Sequence, residues 1–171
     1  MIKIKYSILF VIALQCLVLS GCSSRGSFDD NRNERLSMKR IINAHPKLAS
    51  ANINTTGFQG NLLITGQVSS KELIAIASNE VKKLRNVKKI YNQLAVLGET
   101  SLLSKTNDLL INNRVKSELR KLNDFDQEKI KVVTEYGVVY LMGKLTAQES
   151  REVLKAAKST RGAQNVISLN N

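Results

Sequence analysis

Gly60-Asn-Leu-Leu-Ile-Thr-Gly66-Gln-Val68-Ser69-Ser-Lys-Glu72 and Gly137-Val-Val-Tyr-Leu-Met-Gly143-Lys-Leu145-Thr146-Ala-Gln-Glu149 are two copies of one pattern, at a constant offset of 77 residues. Glycine matches glycine twice, Ser69 matches Thr146, and Glu72 matches Glu149. Between the glycines runs a short apolar segment with the composition of a strand. A hydroxyl residue followed three places later by glutamate is a capping box. The hydroxyl accepts the third helical N–H, and the carboxylate reaches back to the cap. Each copy therefore reads as a strand that runs directly into a helix. Ile53 and Ile130 keep the same offset upstream. Further out, Lys39-Arg40-Ile41 aligns with Asn113-Arg114-Val115 at an offset of 74, which predicts a connection three residues longer in the second copy. Two copies do not make a solenoid. They predict tandem domains.

Outward from those strands, both copies parse alike. In the second, Ile111, Val115, Leu119 and Leu122 form an apolar stripe that predicts a helix over 109–122. Strands follow at 130–134 and 138–142, joined by a turn at Glu135-Tyr136-Gly137, where glycine can take positive φ. Thr146 opens a helix that ends near Gly162, and 166–169 is the last strand. The first copy gives a helix at 36–44, strands at 50–56 and 62–68, a helix at 70–84 and a strand within 87–96. The expected fold class is α+β: two tandem small αββαβ domains, each a three-stranded sheet with two helices on one face. The expected bounds are 34–98 and 106–171, with a linker at 99–105 short enough to keep the domains close.

The N-terminus predicts export. Lys3 and Lys5 precede an apolar run at 8–18, interrupted only by Gln15. That run is shorter than the roughly 20 residues of a spanning helix and has the length of a signal-peptide core. Leu19-Ser20-Gly21-Cys22 then resembles the bacterial lipobox, in which the cysteine thiol carries diacylglycerol and its freed amine is acylated. Residues 1–21 are expected to be removed, and Cys22 to be the lipidated residue. Ser23 resembles an outer-membrane sorting signal, so the expected location is the periplasmic face of the outer membrane, held by lipid. Residues 22–33 are Ser, Gly, Asp, Asn and Arg around a lone Phe28, and read as a flexible tether. Cys16 leaves with the signal segment and Cys22 is consumed, so no disulfide or cysteine metal site is expected.

Charge narrows the partners. The chain carries 26 basic and 14 acidic residues, a net of +12. Without Lys3 and Lys5 the net is +10. In an exported protein the anionic partners are phospholipid headgroups, lipopolysaccharide and acidic polymers, and nucleic acid is not expected. Many small envelope proteins are simply basic, and that reading stays open. Residues 30–98 hold eleven basic and four acidic residues (+7), whereas 106–171 hold eleven and eight (+3). Within the first copy, Lys82, Lys83, Arg85, Lys88 and Lys89 form a candidate anion site. The run also straddles a helix end, where cations are favoured by the dipole in any case.

The order of elements, the stretch from Glu135 to Thr146 and, more loosely, that from Gly57 to Ser69 resemble the BON domain family, over nearly all of the mature chain. The resemblance implies no cofactor. It also implies binding of anionic phospholipid, such as phosphatidylglycerol and cardiolipin, through the first helix of the second domain. Read on its own terms, that helix places Leu110, Arg114, Ser117 and Lys121 on one side, flanked by Lys116 and Arg120. Cations meet phosphate while leucine enters the acyl boundary. A solvated face partly neutralised by Glu118 is the alternative. The lipid-binding relatives insert a tryptophan where this chain has Leu110, and this chain has no tryptophan. A second apolar entry position corresponds to Arg120. Insertion is expected to be shallower and more electrostatic.

Catalysis finds little support, and the chain is not expected to be an enzyme. The one histidine, His45, precedes Pro46 and reads as a terminating segment. Asp124, Asp126 and Glu128 lack the glycine and the terminal glutamate of a calcium loop and read as solvated acids, with Phe125 as an anchor. No metal is expected. Three functions remain: an anionic-lipid-binding lipoprotein that supports envelope integrity, an adaptor for an outer-membrane assembly or secretion complex, and a periplasmic stress or holdase protein. The lipobox argues against a freely soluble form of the third.

Overall fold

The computed structural model describes residues 25–97 and 102–170. The expected signal segment, Cys22 and positions 99–101 of the expected linker lie outside the described residues. The first unit runs α1 (Arg25–Ala44), a short α2 (Pro46–Ala49), β1 (Asn52–Phe58), β2 (Asn61–Val68), α3 (Lys71–Lys82) and β3 (Lys89–Val96). The second runs α4 (Leu102–Leu119), a 3-10 turn (Gln127–Lys129), β4 (Ile130–Glu135), β5 (Val138–Gly143), α5 (Ala147–Lys158) and β6 (Asn165–Asn170). Each forms its own three-stranded sheet, in the orders β1-β2-β3 and β4-β5-β6. The central strand pairs antiparallel with the strand before it and parallel with the strand after it. A parallel pair needs a crossover, and α3 and α5 supply it. The expected α+β tandem fold is the one observed.

Strand alternation builds the cores. Leu62, Ile64 and Val68 of β2 meet Ile41, Leu73, Ala77 and Val81 of the helices. Val139 and Leu141 of β5 meet Ile111, Val115, Leu119, Val153 and Ala157. The repeated glycines serve close approach: a Cβ on Gly66 would collide with the Asn52 carbonyl, and one on Gly143 with that of Lys129. In both hairpins the two turn residues take positive φ, at Gln59 (53°) and Gly60 (85°), and at Tyr136 (53°) and Gly137 (74°). This is the primed turn that matches strand twist.

The opposite faces of the two sheets pack against each other. Leu63 of the first domain joins Tyr140, Met142 and Leu169 of the second in a third apolar cluster. Every residue of β2 is buried, because one face meets helices and the other meets the second sheet.

Four expectations are corrected. First, α1 begins at Arg25, so 25–33 is helix and not tether. Asp30 and Asn33 are 8% and 5% exposed, and both are hydrogen-bonded to the domain body, which makes their burial tolerable. Second, α4 begins at Leu102 and ends at Leu119, so 102–105 of the expected linker is helical and Leu122 lies beyond the helix. The last turn tightens, with Leu122 N donating to Leu119 O at 3.2 Å.

Third, the first helices correspond at an offset of 78 rather than 74. Asp30 binds the first hairpin as Asp108 binds the second, and buried Asn33, Ser37 and Ile41 match buried Ile111, Val115 and Leu119. One helical turn is nearly four residues, so a four-residue slip keeps an apolar stripe almost in phase. The second connection is therefore one residue shorter, not three longer: Ile41 precedes Ile53 by 12, and Leu119 precedes Ile130 by 11. Fourth, Thr146 forms a complete capping box with Glu149, but the cap of α3 is Ser70, not Ser69, and its side chain makes no cap bond. The Ser70 hydroxyl instead bonds the Glu72 carboxylate and lowers its pKa.

Candidate functional site

α4 docks through Ile111, Val115 and Leu119, all fully buried. Its start is tied down by Asp108, whose carboxyl oxygens accept from Tyr136 N at 2.8 Å and Gly137 N at 2.7 Å. The rest of the helix surface faces outward and is apolar as well as basic. Leu103 is 80% exposed, Leu109 62% and Leu110 48%. A helix turns about 100° per residue, which puts Leu103, Leu110, Arg114 and Ser117 along one flank. Leu109, Lys105 and Lys116 lie on the other.

The sequence-predicted residues are thus divided between two flanks. Leu110, Arg114 and Ser117 sit together, with Arg114 Nη1 donating to the Arg161 carbonyl at 3.3 Å. Lys116 lies on the opposite flank, in a groove of about 430 Å3 shared with Asn52 and Asn54 of the first domain. Arg120 and Lys121 lie past the helix end and are exposed. Lys121 pairs with Glu118 at 2.7 Å, an exposed contact of small energetic weight.

Leu103 and Leu109 were missed. Leu103 fell in the expected linker and Leu109 at the expected helix start. Their signal was available: the pairs 102–103 and 109–110 repeat at a spacing of seven. The equivalent helix of the first domain has Asn31 and Arg32 where α4 has Leu109 and Leu110. The fold forms there without those leucines, so folding does not require them.

The alternative basic run is engaged within its own domain. Lys83 pairs with Glu80, Lys88 Nζ donates to the Gln59 carbonyl at 3.1 Å, and Lys89 Nζ lies 4.9 Å from the centroid of the Tyr91 ring. Lys82 and Arg85 are exposed beside them. These cations fasten a helix end and a hairpin, and they do not converge around a cavity.

The remaining candidates are structural. His45 caps α2, with Nδ1 accepting from Lys47 N at 3.1 Å. Asp126 caps the 3-10 turn by accepting from Glu128 N at 2.9 Å, and Phe125 packs on the second core. Among the described residues no group of three or more histidine, cysteine, aspartate or glutamate side chains is placed to hold a metal. None of the described helices is long and apolar enough to cross a membrane.

The BON domain family matches residues 30–98 and 107–169. Both matches agree with the two observed units, and the first begins at Asp30. The chain is 27% identical over 143 residues to the 21 kDa hemolysin of Actinobacillus pleuropneumoniae, spanning 84% of this chain and 73% of that one. It is 26% identical over 119 residues to the outer membrane lipoprotein DolP of Haemophilus influenzae, covering 70% of this chain and 62% of that one. A solved C-terminal domain of CdsD, a structural protein of the type III secretion system of Chlamydia trachomatis, aligns over 82% of this chain and 65% of that one, at 14% identity and a TM-score of 0.31.

Proposed function

The chain belongs to the BON domain family, and from that premise we propose that it is an outer-membrane lipoprotein of the periplasmic face that binds anionic phospholipid through α4. The observation that carries this reading is the exposed surface of α4. Three leucines lie in solvent among Lys105, Arg114, Lys116 and Lys121. Exposed apolar side chains rimmed by cations suit the boundary between headgroups and acyl chains. Each cation near an anionic surface contributes about 1 kcal/mol, and a partly inserted leucine adds a similar amount. Such contacts suffice for a body already tethered through Cys22. They leave phosphatidylglycerol and cardiolipin as the expected ligands, and DolP, named an outer membrane lipoprotein, is a relative in keeping with this location.

Vesicle flotation tests the reading. Binding should require phosphatidylglycerol or cardiolipin and weaken as salt rises. Arg114→Glu with Lys116→Glu and Lys121→Glu should abolish it. Lys82→Glu with Lys83→Glu and Lys88→Glu should leave most of it. Equal binding to neutral vesicles would refute the reading, and the reverse ranking of the two variants would move the site to the first domain. No binding at all would favour an adaptor that meets a protein partner.

A further inference from the structure

Glu135 carries the polar link between the two sheets. It ends β4 on the face turned toward the first domain. Its Oε1 accepts from Asn52 Nδ2 at 3.1 Å and its Oε2 from Asn54 Nδ2 at 3.0 Å, both from β1. Beside it lies the apolar contact of Leu63 with Tyr140, Met142 and Leu169. The contact is not fully paired: Gln67, 4% exposed on the same face of the first sheet, has an Oε1 with no hydrogen-bond partner. A buried acceptor left unpaired opposes closure. The interface therefore combines an apolar centre, a hydrogen-bonded carboxyl at its rim and one unsatisfied amide oxygen.

We infer that Glu135, Asn52 and Asn54 form a proton-sensitive clasp between the two domains, which tightens on acidification and loosens as the pH rises. The groups that face Glu135 are few. α4 brings Asp108 and Lys105, with Lys116 further along the same groove, and β5 brings Tyr140. The β1 side chains that meet it, Asn52 and Asn54, carry no charge. Burial holds the Glu135 carboxyl above its ordinary pKa and Asp108 adds to this, while the two asparagine donors and Lys105 oppose it.

With the domains apart, Glu135 would meet water and titrate at its ordinary value. The closed form therefore takes up a proton at the higher pH. Its contribution to closure is complete below the ordinary value and is lost as the pH rises through the raised one. Loosening would uncover the apolar outer face of the second sheet around Tyr140 and Met142. The clasp needs no lipid, so it stands or falls apart from vesicle binding.

Met142 reports on it directly. The chain has three methionines, Met1, Met38 and Met142. Met142 is fully buried at the contact between sheets, whereas Met38 packs on the core of the first domain. The full chain, labelled with 13C at its methionine methyls in neutral detergent, is exposed to a water-soluble gadolinium chelate at pH 5 and pH 8. Met142 should broaden more at pH 8, and Met38 should not change. The open-to-closed ratio should change about tenfold for each pH unit by which Glu135 is raised. Glu135→Gln should hold Met142 at its pH 5 behaviour throughout. Equal broadening of Met142 at both pH values, or a pH dependence that survives Glu135→Gln, would overturn the clasp. Should that variant unsettle the second domain, carboxyl-carbon titration of Glu135 in the unaltered chain decides it. A midpoint above the ordinary glutamate value supports the clasp, and one at or below that value overturns it.

Discussion

In α1 the side chains turned inward are Asp30, Asn33, Ser37 and Ile41; in α4 the same places hold Asp108, Ile111, Val115 and Leu119. Both helices lie on the same kind of sheet, yet they are held by different means. Asp30 accepts from Gln59 N at 2.7 Å and Gly60 N at 2.8 Å, just as Asp108 does in its own hairpin. Beyond that shared tie, α1 relies on hydrogen bonds. Asn33 Nδ2 donates to the Asn86 carbonyl at 3.0 Å, Ser37 Oγ to that of Glu34 at 2.8 Å, and Glu34 Oε1 accepts from Gly57 N at 2.8 Å. α4 relies on apolar burial, which contributes about 1.5–3 kcal/mol for each large aliphatic side chain. The helix docked by burial is also the one with leucines on its outside. The fold needs the aspartate; it needs neither an apolar inner stripe nor an apolar exterior.

The shared tie is where the comparison is easiest to break. Asp30→Ala and Asp108→Ala each strand two backbone donors, and each should cost about 3 kcal/mol in urea unfolding of the whole chain. A loss under about 1 kcal/mol for Asp30→Ala alone would mean that the start of α1 does not carry its hairpin. The inner stripe comes next. Val115→Ser removes buried carbon and adds a hydroxyl, and should cost about 2 kcal/mol. Ser37→Ala in the matching place loses a local bond but gains helix propensity, and should stay within about 0.5 kcal/mol of the unaltered chain. Similar losses for the two would erase the distinction between the helices.

That distinction also decided what could be read in the sequence. The strands were legible because their alternation and paired glycines recur in both copies at one offset. α4 was legible because Ile111, Val115 and Leu119 form an apolar stripe. The first half of α1 was not: Asp30, Asn33 and Ser37 are buried polar residues, and their composition is that of a tether. Their partners, Gln59, Gly60 and Asn86, lie 29, 30 and 53 residues away, so no local pattern shows the pairing. At the candidate site the cations and Leu110 were legible. The division of Lys116 from Arg114 was not, because it depends on where the first domain sits. Glu135 was read as part of a turn, since its partners Asn52 and Asn54 belong to the other domain.

A smaller effect separates folding from function on the exterior of α4. Leu103→Gln with Leu110→Gln should leave unfolding within about 0.5 kcal/mol, as exposed substitutions usually do. Partition onto phosphatidylglycerol vesicles should fall about tenfold, corresponding to about 1.4 kcal/mol. If instead the protein destabilises and binding holds, those leucines serve packing and the second helix differs from the first only in how it folds.

The smallest contrast lies between the two capping sites that the sequence presents as equals. Thr146 Oγ1 accepts from Glu149 N at 3.2 Å, and Glu149 Oε2 accepts from Thr146 N at 2.8 Å. Thr146→Ala should cost about 1 kcal/mol. Ser69→Ala should cost much less, because Ser70 stands at the cap of α3 and makes no cap bond there. Acid should sharpen the difference. Lys129 Nζ, 2.9 Å from Glu149 Oε1, acts with the cap bonds to hold Glu149 down to about 2. A carboxyl depressed in the folded state contributes stability that is complete above its ordinary value and is lost as pH falls toward the depressed one. The penalty of Thr146→Ala should therefore shrink between about pH 4.5 and pH 2, whereas the small effect of Ser69→Ala should not follow it. A penalty for Thr146→Ala that stays constant across that range would mean that the threonine acts through its own hydroxyl alone, without its reciprocal partner Glu149.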